Sequence, residues 1–348
     1  MRLRPIAAAL LSLLLPTLAA SAQQTLPLWP HATPEPPQTT LPESDATKPT
    51  DGLISGRKTR RLTNVTVPTL TIYAPPAGHN THAAVLVFPG GAYKILAWDG
   101  EGLDVCHWLN AVGVTCLLVK YRVPEEGRYP TNPADLEDAQ QAMRLARAHA
   151  TDWHIDPGKI GVLGFSAGAH LAVLLSTHPD DQHVLSTPAK SDVDPTIDAR
   201  ANFAFIIYPG WLTTNPALNE LDPVLTPNQF TPATFLLQAE NDGAHVENVL
   251  VYFRALKDAK IPAELHIFAT GGHGFGVFPI DKPESNWTIL ATTWLRSLNV
   301  LPPLPPSQNP SGPMNGAGAI PCPLPQPPPP GRPNTTTPTT TTTDPNCF

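Results

Sequence analysis

Short unbroken apolar runs alternate with stretches of helical period through the middle of this 348-residue chain. The runs at 69–73, 83–88, 114–119, 159–163, 203–208, 234–238 and 263–268 have the length of strands buried on both faces. Between them, 103–111, 135–150, 169–175, 246–256 and 287–298 read as helices. The clearest is 135–150, where Leu136, Ala139, Ala142, Met143 and Ala146 recur at helical spacing. Strands alternating with helices over this length predict an α/β fold, with a mostly parallel central sheet and helices on both faces. The ligand site of such a sheet lies beyond the carboxyl ends of its strands.

The flanks break that pattern. Residues 1–22 combine Arg2 and Arg4, an apolar stretch over 6–18 interrupted by Pro16, and the small residues Ala20-Ser21-Ala22. This is the pattern of a cleaved export signal, too short for a membrane span, and no second apolar span follows. The expected mature chain is exported and soluble, starting near Gln23, in a periplasm or outside the cell. Residues 23–61 are rich in Pro, Thr and Asp without apolar period, so an extended surface arm is expected. In 301–348, 16 of 48 residues are proline and a threonine run follows Asn334, which predicts a disordered or polyproline-like tail. The catalytic domain is therefore expected over 62–300.

Composition narrows the partners. A formal charge of −7 argues against nucleic acid or an anionic membrane surface. The basic patch Arg57-Lys58-Thr59-Arg60-Arg61 reads as a solvated loop. Cys106 and Cys116 sit among apolar residues and read as buried thiols, whereas Cys322 and Cys347 in the tail could pair in an oxidising compartment. No cysteine has metal-ligand spacing, and His79 and His82 have no third ligand nearby. There is no H-E-x-x-H and no glycine-rich phosphate cradle, so no cofactor is expected.

One stretch joins the pattern to chemistry. The run at 159–163 leads into Gly164-Phe165-Ser166-Ala167-Gly168, and a helix follows. A buried strand, a sharp turn and a helix leave a serine hydroxyl exposed at the crest, near the free N–H groups of the helix. Such a hydroxyl is a weak nucleophile and needs a base, itself oriented by an acid. In this fold class the chain order is Ser, acid, His. Asp242 follows the run ending at Gln238, and His273 follows the next run inside a glycine-rich loop. They are the expected acid and base. Glu240 is the competing acid and His245 the competing base, while His170, on the elbow helix, reads as a packing histidine.

Gly90-Gly91-Ala92 closes another strand run. The N–H groups of Gly91, Ala92 and Ala167 are the expected oxyanion donors, each worth about 3–4 kcal/mol of transition-state stabilisation. Glu101 is expected to cap the next helix, with helping to close the site as its alternative role. Tyr93, Tyr121, Tyr208 and Phe275 are expected as substrate contacts, with Arg122 beside Tyr121 at the rim; packing is the alternative for Tyr121, Arg122 and Tyr208, and a place in the pocket wall for Phe275. Trp98 and Trp211 are further rings that could stack on a sugar.

From about Leu26 to Leu301 the chain resembles the α/β-hydrolase superfamily. Within it, the likeness is to exported bacterial esterases of the hormone-sensitive-lipase-like and acetylxylan-esterase-like kinds. The resemblance rests on Pro89-Gly90-Gly91-Ala92-Tyr93 and on residues 99–102, 120–124, 164–170, 239–242, 245–248 and 271–276. It implies an α/β-hydrolase fold, with Ser166 as nucleophile, Asp242 as acid and His273 as base. It also implies cofactor-free hydrolysis of a small-molecule or polysaccharide ester, acetylated plant polysaccharide being one substrate class. Two departures narrow the site: Ala92 stands where relatives commonly carry a third glycine, and Ala169 precedes His170 where they carry glycine. A serine peptidase of the same fold and an inactive binding module are the alternatives.

Overall fold

The computed structural model describes residues 23–304 apart from 55, 77, 181–192, 215–219 and 279–280. The expected export signal, and the tail with Cys322 and Cys347, lie outside the described residues. The chain divides into a large unit ending at Pro303 and a second unit over 304–348.

Every expected strand and helix forms. The strands are β1 (Gln24–Pro27), β2 (Ser44–Asp45), β3 (Arg61–Thr63), β4 (Thr69–Tyr73), β5 (Ala84–Phe88), β6 (Leu96–Ala97), β7 (Thr115–Lys120), β8 (Ile160–Phe165), β9 (Phe203–Ile207), β10 (Ala233–Ala239) and β11 (Ala263–Phe268). The helices are α1 (Asp104–Ala111), α2 (Ala134–Ala148), α3 (Ala167–Thr177), α4 (Glu247–Asp258) and α5 (Trp287–Ser297). An eight-stranded sheet runs β1-β4-β7-β5-β8-β9-β10-β11. It is parallel from β7 to β11, with β4 antiparallel to both its neighbours.

Successive strand residues point to opposite faces, which explains the unbroken apolar runs. In β5, Leu86 and Phe88 enter the layer under α2, α3 and α4, whereas Val85 and Val87 enter the layer under α1 and α5. Both faces are thus covered. Among the described residues, no helix is long and apolar enough to cross a membrane.

Two expectations need correction, those for the arm and for the cysteines. The arm is not only a surface wrap: β1 pairs with β4 at the sheet edge, and β2 and β3 join β6 in a small antiparallel sheet. Most β1 residues are exposed, so no alternation betrays the strand. The basic patch is solvent-facing at Arg57, Lys58 and Arg60 as expected, and its charges are also paired, Arg57 with Asp104, Arg60 with Asp99 and Arg61 with Asp51. Finally, Cys106 and Cys116 form a disulfide, because the inner face of α1 rests on β7 and brings their Cα atoms to 5.0 Å.

Candidate active site

Ser166 lies between β8 and α3 with φ 52°, a backbone conformation that side-chain-bearing residues rarely adopt. The turn closes only because Gly164 and Gly168, two residues to either side, lack side chains. A Cβ on Gly164 would stand 2.0 Å from the Gly168 carbonyl oxygen, and one on Gly168 would stand 2.0 Å from that of Phe88. Alanine at either position would force backbone apart.

The structure brings Ser166, Asp242 and His273 together, from loops that follow β8, β10 and β11. His273 Nε2 is 2.8 Å from Ser166 Oγ. Its Nδ1 is 2.8 and 3.0 Å from the two carboxylate oxygens of Asp242. Asp242 is buried and also accepts from the Ala244 N–H at 2.7 Å and Gln238 Nε2 at 3.1 Å. The Gly272 N–H donates to Asn241 Oδ1 at 2.9 Å, fastening the histidine loop to the acid loop. Burial opposes a charged imidazole at His273, but the hydrogen bond and charge of Asp242, with the charge of Glu101, outweigh it. The net effect holds His273 above the ordinary histidine range.

The competing residues lie elsewhere in the arrangement. His170 is buried and bonded through Nδ1 to the Tyr93 hydroxyl at 2.8 Å. Burial first, and the Arg128 charge second, push its pKa down to about 3, so it is neutral. Glu240 is exposed, with its backbone N–H on the Phe268 carbonyl at 2.7 Å. His245 lines the cleft described below.

Gly91 and Ala92 both take positive φ, 140° and 57°. A Cβ on Gly91 would stand 1.9 Å from the Ile95 carbonyl oxygen, so the tight turn requires glycine there. The N–H groups of Gly91, Ala92 and Ala167 donate to no acceptor among the described residues.

Glu101 is a correction with consequences. It does not cap a helix: it sits buried in the π-helical turn Asp99–Leu103, accepting from the Gly90 N–H at 2.7 Å and the Tyr208 hydroxyl at 2.9 Å. Tyr208 in turn accepts from the Gly276 N–H at 3.2 Å. One carboxylate therefore links the glycine loop at 90–92 to the histidine loop. Burial is the dominant influence on Glu101 and raises its pKa against the lowering effect of Gly90, His273 and Tyr208.

The rings expected to touch substrate are packed behind the cleft instead. Tyr93, Tyr121, Tyr208 and Phe275 are all buried. The Tyr121 hydroxyl donates to the Pro89 carbonyl at 2.6 Å, and the Phe275 ring packs on Tyr208 at 4.6 Å. These residues hold the loops in place. Arg122 is likewise buried, away from any rim. Trp98 packs against the core, and of the expected rings only Trp211 lines the cleft.

Ser166 and His273 stand where two open clefts meet. The larger, about 540 Å³, extends past Ala92 to Arg128, Trp211, Thr213 and His245. The smaller, about 330 Å³, extends past Gly91 to Glu101 and to Leu53, Ile54 and Arg61 of the arm. Asn248 stiffens the larger one. Its Oδ1 accepts from the N–H groups of Leu212 and Thr213 at 2.7 and 3.3 Å, and its Nδ2 donates to the carbonyls of Ala244 and His245 at 2.5 and 2.9 Å. Arg128 lies in no motif, and although Asn248 closes the 245–248 motif of the resemblance, the sequence assigned neither residue a role.

A family model described as BD-FAE matches residues 70–208. An acetylxylan esterase of Xylanibacter ruminicola is 30% identical over 238 residues, 62% of this chain and 45% of that protein. The chain thus spans less than half the length of that relative. The crystal structure of an acetyl ester-xyloside bifunctional hydrolase from Caldicellulosiruptor lactoaceticus matches at 31% identity and TM-score 0.59, over 80% of this chain and 97% of that one. MGS-M1, an α/β-hydrolase enzyme from a deep-sea metagenome library, matches at 27% identity and TM-score 0.54, over 66% of this chain and 92% of its own. With these likenesses laid over the strand–elbow–helix geometry, the chain belongs to the α/β-hydrolase superfamily, and within it is similar to acetylxylan esterases.

Proposed function

We propose that this chain is an exported serine carboxylesterase that removes acyl groups, acetyl above all, from carbohydrate esters. The observation that carries the reading is His273 bonded to Ser166 on one ring nitrogen and to Asp242 on the other. In this reading Ser166 Oγ attacks the ester carbonyl while His273 Nε2 takes its proton. Asp242 holds the Nδ1–H tautomer and stabilises the imidazolium. The carbonyl oxygen becomes an oxyanion facing the N–H groups of Gly91, Ala92 and Ala167. Collapse of the tetrahedral adduct breaks the ester C–O bond, and His273 returns the proton to the leaving alkoxide. Water then attacks the acyl-serine, giving up a proton to His273, and the acid leaves with Ser166 restored.

The carbohydrate ester class is supported by the likeness to the Xylanibacter acetylxylan esterase and the Caldicellulosiruptor acetyl ester-xyloside hydrolase. Export is supported by the signal-like pattern at 1–22 and by the Cys106–Cys116 disulfide, a bond suited to an oxidising compartment. The test is fluorophosphonate labelling of the protein, followed by turnover of 4-nitrophenyl acetate, an acetylated xylan and a peptide amide. Labelling with ester turnover is expected, and Ser166→Ala should abolish labelling and lower kcat by about 10⁴-fold or more. Amide turnover without ester preference would favour a peptidase, and absence of labelling a binding module.

A further inference from the structure

We propose that Arg128 makes the larger cleft a carboxylate-binding subsite, so that the preferred substrates are esters carrying a negative charge near the scissile bond. The inference deepens the esterase reading and rests on it. Three observations point the same way.

The first is charge. Among the described residues no Asp or Glu lines the larger cleft, and Arg128 is its one arginine or lysine, in a chain whose formal charge is −7. The second is pairing. Arg57, Arg60, Arg61, Arg122, Arg200 and Arg254 each meet a carboxylate. Among the described residues Arg128 meets none, nor do Arg144, Arg147 and Arg296, but Arg144 and Arg147 donate to backbone carbonyls and Arg296 lies on α5 outside the cleft. The Arg128 guanidinium lies 4.9 Å over the Trp211 ring, which leaves the N–H fork free to grip a ligand. The third is rigidity. Trp211 stacks on the buried Tyr93 ring at 5.8 Å and 20°, and Asn248 fixes the following backbone at Leu212 and Thr213. The cation therefore rests on a fixed floor, in the same cleft as Ser166 and His273. A planar fork held in this way suits a bidentate carboxylate.

The carboxylate can belong to the alcohol half, as a uronic acid beside the acetylated sugar, or to the acyl half, as a dicarboxylic monoester. Two substrate pairs separate these sources. One is an acetylated xylo-oligosaccharide with and without a uronic acid branch. The other is the 4-nitrophenyl ester of succinate against that of acetate. The native protein should prefer the charged member of one pair in kcat/KM. Arg128→Gln should lower that preference about fivefold or more, Arg128→Lys should restore part of it, and about 0.5 M NaCl should erode it in the native protein. The proposal is overturned if the native protein shows no charge preference in either pair. It is equally overturned if Arg128→Gln depresses both members of each pair alike. Neutral-ester turnover with fluorophosphonate labelling would show that the esterase reading survives such a failure.

Discussion

Two buried charged side chains act as hubs in this molecule, and they do different work. Arg122 donates to Asp138, to Glu137 and to the carbonyls of Ala134 and Glu35. Asp138 also accepts from the Trp29 indole at 2.7 Å, so the arm, the end of β7 and α2 are fastened at one point. Glu101 instead touches neutral donors, Gly90 and Tyr208, and lines the smaller cleft beside Ser166. The cation is matched by carboxylates in contact, whereas the carboxylate at 101 has no cation in contact among the described residues and acts on His273 through its field. The difference teaches that a compensated buried charge fastens elements, while an uncompensated one near a site sets both loop geometry and proton affinity.

The sharpest way to break this comparison is at Arg122. Arg122→Met leaves Asp138 and Glu137 buried without their partner, and removing one member of such a cluster costs about 3–5 kcal/mol. Urea unfolding should show that loss, while kcat of the folded fraction towards 4-nitrophenyl acetate stays near the native value. A fall in kcat with stability intact would show that the two hubs are not separable. A second fastening of the fold, the disulfide, should matter somewhat less. Closing a loop across the 10-residue separation of Cys106 and Cys116 stabilises by about 3 kcal/mol in the chain-entropy picture. The double Cys106→Ala, Cys116→Ala protein should unfold at correspondingly lower urea, again without loss of kcat.

The same contrast explains what was legible in the sequence. Strands buried on both faces announce themselves as apolar runs, and the loops after β8, β10 and β11 could be ordered along the chain from fold logic. Hence Ser166, Asp242 and His273 were named and are found within hydrogen-bonding distance. Support roles left no such trace. Tyr121 and Tyr208 follow strand ends whether they face substrate or a backbone carbonyl, and pattern does not tell the two apart. Glu101 precedes a helix as a cap would, yet its partners are distant in sequence. The pairing of Cys106 with Cys116 depends on how α1 packs on β7, and β1 is an exposed edge strand without alternation.

Glu101→Gln tests the other half of the comparison with the smallest and most specific effect. The amide keeps one oxygen to accept the Gly90 N–H and can present its N–H₂ to the Tyr208 oxygen, so the loops should stay joined. A loss of kcat of about tenfold or less is expected, equivalent to about 1.4 kcal/mol. The charge is gone, however, and that charge helps hold His273 above the ordinary histidine range. The base must be neutral to take the Ser166 proton, so kcat/KM falls on the acid side as His273 gains its proton. Removing the carboxylate at 101 lowers the proton affinity of His273, and the acid limb should therefore move to lower pH. The Asp242 contacts remain, so the limb should not collapse altogether. A limb that stays in place with an intact fold would reduce Glu101 to a prop between two loops, and the distinction drawn between the hubs would lose its electrostatic half.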